Sequence, residues 1–181
     1  MMKRFVLLIV IFLVKYHTLY PQRYVADKGM VDFFSQATLE DIKAENRKVQ
    51  SIFNASTGEI AFRVGIRDFE FKKKMMQEHF NEKYMESDKY PDATFSGTIE
   101  GFSPDEQGWQ NVTAKGDLKI HGVTHKVEVP GTLRIVDAGN LQMRSEFIVK
   151  LEDYGVTIPQ ILWQNIAEQV KVTIELNYRK N

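Results

Sequence analysis

In this 181-residue chain, His121 and His125 are the side chains whose type and spacing first suggest chemistry. An imidazole pair can hold zinc, but on one continuous strand the two would stand about 13 Å apart, too far to share an ion. A hairpin between them would bring them within cross-strand reach. Two ligands still do not make a site. The other histidines are His17, near the N-terminus, and His79, in a helix-forming stretch, and no cysteine completes a set. The pair is therefore expected to be structural, with no metal. No G-x-S-x-G elbow, H-E-x-x-H helix, Walker loop or G-x-G-x-x-G turn occurs. Ser35, Ser51 and Ser145 are the polar residues in inward phase along the strands described below. Three scattered hydroxyls offer little to acid–base or nucleophilic work, so the chain is not expected to be an enzyme.

Composition narrows the classes further. Lys plus Arg equals Asp plus Glu at 24 each, so no basic field draws in nucleic acid or an anionic membrane surface. Without cysteine, a disulfide framework and thiolate chemistry are both excluded, and stability must come from packing. The length suits one domain with a real core. Lys3 and Arg4 precede an unbroken apolar run over 5–14, the pattern of an export signal. Lys15 ends that run at about half the length a membrane span requires, so no span is expected. The chain divides into a signal over 1–22 and one domain over 23–181.

The elements that position these residues are mostly strands, seen as period-two alternation. Val31, Phe33 and Ser35 share a face, as do Val49, Ser51, Phe53 and Ala55. A turn at Ser56-Thr57-Gly58-Glu59 leads into Ile60, Phe62, Val64 and Ile66. The next faces are Phe95, Gly97, Ile99 and Gly101, then Val112, Ala114, Gly116, Leu118 and Ile120. Gly97, Gly101 and Gly116 are expected where strands coil sharply or backbones approach closely. After His121-Gly122-Val123-Thr124 come Val127, Val129, Gly131, Leu133 and Ile135. After Asp137-Ala138-Gly139-Asn140 come Leu141, Met143, Ser145, Phe147, Val149 and Leu151. Val170, Val172, Ile174, Leu176 and Tyr178 form the last face. These runs make about eight strands, apolar on one side and charged on the other, as in an antiparallel sheet wet on one face.

Residues 38–46 carry alternating charge and read as a solvated connection. Two short helices interrupt the strands. Over 72–86, Met76, Phe80 and Tyr84 recur at helical spacing, so one face is expected over a sheet edge or barrel mouth. The other helix covers 159–169, with Pro159 at its start and Ile161, Leu162, Trp163 and Ile166 as its apolar side. Pro91 switches the chain from helix to strand and holds Tyr90 extended, as an aromatic anchor.

Lys89-Tyr90-Pro91 running into Thr94-Phe95-Ser96-Gly97-Thr98-Ile99, together with the Gly116-Asp117-Leu118-Lys119-Ile120-His121-Gly122-Val123-Thr124 hairpin, resembles the YceI-like family. The resemblance spans roughly 24 to 179. It implies an all-β fold, an antiparallel eight-stranded lipocalin-like barrel, where period alone leaves barrel and two-sheet sandwich open. It also implies an exported, periplasmic or secreted carrier that holds a long-chain isoprenoid lipid or isoprenoid quinone and needs no other cofactor. A homodimer is a further implication, for which the sequence shows no interface of its own. His121 matches the family's histidine, whereas His125 stands where the family often has arginine or lysine. The inward residues expected to line the ligand channel are Phe62, Val64, Phe95, Ile99, Leu118, Ile120, Val129, Leu133, Met143, Phe147, Val172 and Ile174. The alternative is a structural or interaction barrel whose interior is simply full.

Overall fold

The computed structural model of the protein describes residues 22–36, 41–157 and 168–181. In chain order the strands are β1 (Arg23–Ser35), β2 (Ile42–Asn46), β3 (Gln50–Asn54), β4 (Glu59–Gly65) and β5 (Glu70–Phe71), then helix α1 (Lys74–His79). They are followed by β6 (Asp92–Glu100), β7 (Gln110–Ile120), β8 (Val123–Asp137), β9 (Asn140–Lys150) and β10 (Gln169–Lys180). All pairings are antiparallel. Strands β1, β3, β4, β6, β7, β8, β9 and β10 follow one another around the sheet, and β1 pairs with β10 from Tyr24↔Lys180 to Phe34↔Lys171 to close it. The result is a closed eight-stranded barrel, as the resemblance implied. Closure leaves these strands no free edge, and side chains point alternately into the barrel and out of it.

Strand β1 is long because its other edge serves two partners. Its first residues pair with β3 (Tyr24↔Phe53) and its last with β2 (Phe33↔Ala44). The break between β2 and β3 is held by Asn46, which is fully buried. Its Nδ2 donates to the Gly65 carbonyl at 2.8 Å, and its Oδ1 accepts from the Lys48 backbone N–H at 2.8 Å. Of the connection expected over 38–46, residues 38–40 lie outside the described residues, and 42–46 form strand β2 rather than a simple solvated connection. Ala44 and Asn46 are buried while Lys43 faces out, a two-residue period that the flanking charges conceal. The two-residue β5 pairs with β2 at Ala44↔Phe71.

Gly97 and Gly116 pair directly between β6 and β7. A Cβ on Gly97 would stand 2.1 Å from the Lys115 carbonyl oxygen, and one on Gly116 would stand 2.3 Å from that of Ser96. Only glycine permits so close a backbone approach, and it is here that the two strands coil. The following hairpin turns on two residues, with His121 at φ 49° and Gly122 at φ 80° and Ile120 paired to Val123. Two consecutive positive φ angles are the requirement of a type I′ turn, whose twist matches the strands it joins. Tyr90 caps this turn. Its ring lies 4.5 Å from that of His121 in an edge-on contact, and a Cβ on Gly122 would collide with it. That is the anchor expected of Tyr90.

The helix expected over 72–86 is shorter than its pattern. α1 ends at His79, and Phe80–Tyr84 continues as one π-helical turn. Met76, Phe80 and Tyr84 all line the same cavity, as their helical spacing predicted. The helix expected over 159–169 lies outside the described residues up to 167, and Gln169 opens β10. The signal expected over 1–22 lies outside them up to residue 21.

Candidate functional site

The barrel interior is filled at one end and hollow at the other. At the filled end Phe53 and Leu133 are 0 % exposed, and Leu141 and Tyr178 are 1 % exposed. Phe53 touches Phe102 and Tyr178, with ring centroids 5.8 and 6.3 Å apart. The Tyr178 hydroxyl lies 2.6 Å from Ser51 Oγ, and Ser51 also donates to the Ala61 carbonyl at 2.9 Å. Burial pushes the Tyr178 phenol well above its usual range, and the Ser51 hydrogen bond offsets a smaller part of that.

Past this plug lies a cavity of about 450 Å³, lined almost wholly by apolar side chains. Strand β4 contributes Phe62 and Val64; β6, Phe95; β7, Leu118 and Ile120; β8, Val129; β9, Met143 and Phe147; and β10, Val172 and Ile174. These are all the expected lining residues except Ile99 and Leu133. Those two share the inward phase but sit toward the other end, in the plug. Alternation reports which way a side chain points, not how far along the barrel it lies.

Strand β1, with Val31 and Phe33, and the irregular segments around β5 and α1 supply more of the wall. Phe33, Phe69, Phe71 and Phe80 form an aromatic cluster, with centroids 5.0 Å apart for Phe71–Phe80 and 5.4 Å for Phe33–Phe69. Aromatic contacts of this kind add about 0.5–1.5 kcal/mol each beyond burial. Of these, Phe69 and Phe71 flank or occupy the short β5, where no period can be read. Met75, 66 % exposed, and Met76 lie on α1 at the cavity's edge.

Around the mouth, the β7–β8 hairpin is tied to the turn Glu152–Tyr154. His121 Nδ1 lies 3.2 Å from the Tyr154 carbonyl oxygen, and its Nε2 lies 3.1 Å from Glu86 Oε2. Both partners are acceptors, so the two contacts coexist only when both ring nitrogens carry protons. His125 Nε2 lies 2.8 Å from the Asp153 carbonyl oxygen, and its ring stands edge-on to Tyr154 at 5.2 Å. Each histidine thus clasps the same turn. Among the described residues, no group of three or more His, Cys, Asp or Glu side chains could hold a metal.

The inward serines do not converge. Ser51 is engaged in the plug. Ser35 and Ser145 both line the cavity, and Ser145 Oγ donates to the Pro130 carbonyl at 2.7 Å. The other polar lining groups are His79, Thr94, Tyr84 and Tyr154. Burial raises the pKa of Tyr84, and burial followed by the neighbouring Asp153 charge raises that of Tyr154. This arrangement is suited to enclosing an apolar molecule.

A family model described as a YceI-like domain matches residues 25–178. No curated protein matches the chain. Among solved structures, a polyisoprenoid binding domain from Saccharophagus degradans implicated in plant cell wall breakdown aligns with a TM-score of 0.76 at 15% identity, over 90% of this chain and 100% of that one. BcnA from Burkholderia cenocepacia aligns with a TM-score of 0.69 at 18% identity, over 82% of this chain and 95% of that one. A YCEI protein from Campylobacter jejuni gives 0.58 at 15% identity, over 99% of both chains. At these identities the structural likeness speaks for the fold.

Proposed function

The chain belongs to the YceI-like family, and from that premise we propose that it is an exported binding or carrier protein that holds a long-chain isoprenoid lipid, or an isoprenoid quinone, inside its barrel. The observation that carries this reading is the apolar cavity of about 450 Å³ above a solid plug. A cavity of that size falls in the range of small-molecule sites, roughly 300–1,000 Å³. It also argues against the alternative of a barrel with a full interior. The polyisoprenoid named for the Saccharophagus degradans domain supplies the ligand class.

The magnitudes fit. Taking a chain carbon to occupy about the 30 Å³ of a liquid water, the cavity encloses roughly fifteen carbons. At about 0.8 kcal/mol per methylene, that burial is worth roughly 12 kcal/mol. Association costs about 4 kcal/mol at the low end. The remaining surplus of about 8 kcal/mol corresponds to micromolar affinity. A shorter tail falls below that, and a longer one extends beyond the cavity.

The role is binding without catalysis. Export rests on Lys3, Arg4 and the apolar run over 5–14, and the compartment is the bacterial periplasm or the exterior. N-terminal sequencing of the protein from fractionated cells tests it: a cytosolic chain beginning at Met1 would overturn export. Among the described residues, no helix is long and apolar enough to cross a membrane. Replacing Phe147 with Trp tests the cavity. Lipid loading should fall at least tenfold while the circular dichroism spectrum stays native. Undiminished loading of a folded variant would place the ligand elsewhere.

A further inference from the structure

The ionisable side chains among the described cavity-lining residues are His79, Tyr84 and Tyr154; no Lys, Arg, Asp or Glu is among them. Tyr154 is 4 % exposed, so more than nine-tenths buried, and Tyr84 is half-buried. Neither phenol has a hydrogen-bond partner among the described residues, although the Tyr154 backbone is fully engaged through Leu151 and His121. Both tyrosines belong to one apolar cluster at the mouth end, with Ile66, Met85 and Val156. Neither phenol oxygen is sealed off, since among the described residues Asn81 Oδ1 is the one buried side-chain polar atom without a partner, so each hydroxyl is open to an acceptor that a ligand brings into the cavity. An anionic head group would meet no cation of the Lys or Arg type here and would lose its hydration uncompensated.

We propose that Tyr84 and Tyr154 form a head-group site that donates hydrogen bonds to an uncharged oxygen of the bound lipid, a carbonyl, ester, ether or hydroxyl, and that rejects phosphorylated heads. The inference rests on the lipid-binding reading and adds which head that lipid carries. Burial raises both phenols, which keeps them protonated as donors at neutral pH.

The test compares probes with one farnesyl tail: farnesylacetone, farnesene and farnesyl diphosphate, titrated into the full chain by calorimetry or fluorescence displacement. The ketone should bind about fivefold tighter than the hydrocarbon for each phenol engaged, and the diphosphate should bind weakest. In Tyr154→Phe and in Tyr84→Phe the ketone-to-hydrocarbon affinity ratio should fall toward one, with thermal melts confirming that each variant folds. Equal binding of all three probes, or a ratio unmoved in both variants, would overturn the head-group site and leave the lipid cavity standing. Diphosphate binding tightest would overturn it too. If neither farnesene nor farnesylacetone binds, the lipid-binding reading falls, and the head-group site with it.

Discussion

The two ends of this barrel are built from the same strands with the same alternation, yet one is solid and the other hollow. At the solid end, β3, β8, β9 and β10 contribute Phe53, Leu133, Leu141 and Tyr178, all essentially sealed from solvent, and the Tyr178 hydroxyl is satisfied by Ser51. At the hollow end, Phe62, Phe95 and Phe147 are only half-buried, and no other described residue hydrogen-bonds the phenols of Tyr84 and Tyr154. The solid end is packed as a protein core is packed; the hollow end leaves room that a ligand's atoms can supply. An inward hydrophobe therefore stabilises the fold in one place and serves binding in another, and substitutions should separate the two.

The largest expected effect is at the plug. Leu133→Ala should cost about 3–5 kcal/mol in urea denaturation, because its cavity opens among fully buried neighbours. Phe95→Ala, at the cavity wall, should cost clearly less. Equal losses would erase the distinction between the ends. Second comes overpacking: Ile99→Trp in the plug should destabilise by about 1–3 kcal/mol. Phe147→Trp should change stability by less than that and act on lipid loading instead. If Ile99→Trp blocked loading and left stability untouched, the plug would have to be redrawn as part of the cavity.

The smallest effect is at the Tyr178 hydroxyl. Tyr178→Phe should lose about 1 kcal/mol at neutral pH, since Ser51 keeps its bond to the Ala61 carbonyl. Its pH signature is sharper. Burial holds the folded-state pKa of Tyr178 above its unfolded value of about 10, so its contribution is fully present below pH 10 and is lost as pH rises through the folded value. Tyr24, Tyr84 and Tyr154 shift in the same direction. Stability should therefore fall above about pH 10, and Tyr178→Phe should make that fall shallower. An unchanged alkaline slope would mean that the phenol is not the group responsible.

The strands were legible because alternation marks a half-buried strand directly, whereas their closure into a barrel came from the family resemblance, since period alone also fits a two-sheet sandwich. Each of the eight closing strands has a run of inward apolar residues long enough to be seen. Ile42, Ala44 and Asn46 were hidden because only three inward positions alternate with Lys43 and Glu45, and one of the three is polar. Glu70–Phe71 is too short to carry a period at all. The lining residues on regular strands could be named in advance, but Phe69, Phe71 and Tyr154 sit in or beside irregular segments whose direction only the fold determines. Ile99 and Leu133 were in the right phase at the wrong height, since the stagger that closes a barrel sets height and is written in no single strand.

The most direct measurement of the central claim is native mass spectrometry of the protein purified from its own cells, followed by solvent extraction and identification of what was bound. A stoichiometric adduct whose extracted mass is that of an isoprenoid lipid or quinone is the predicted result. A protein that emerges empty, and stays empty after incubation with isoprenoid lipids, would contradict the account and return the barrel to a structural role.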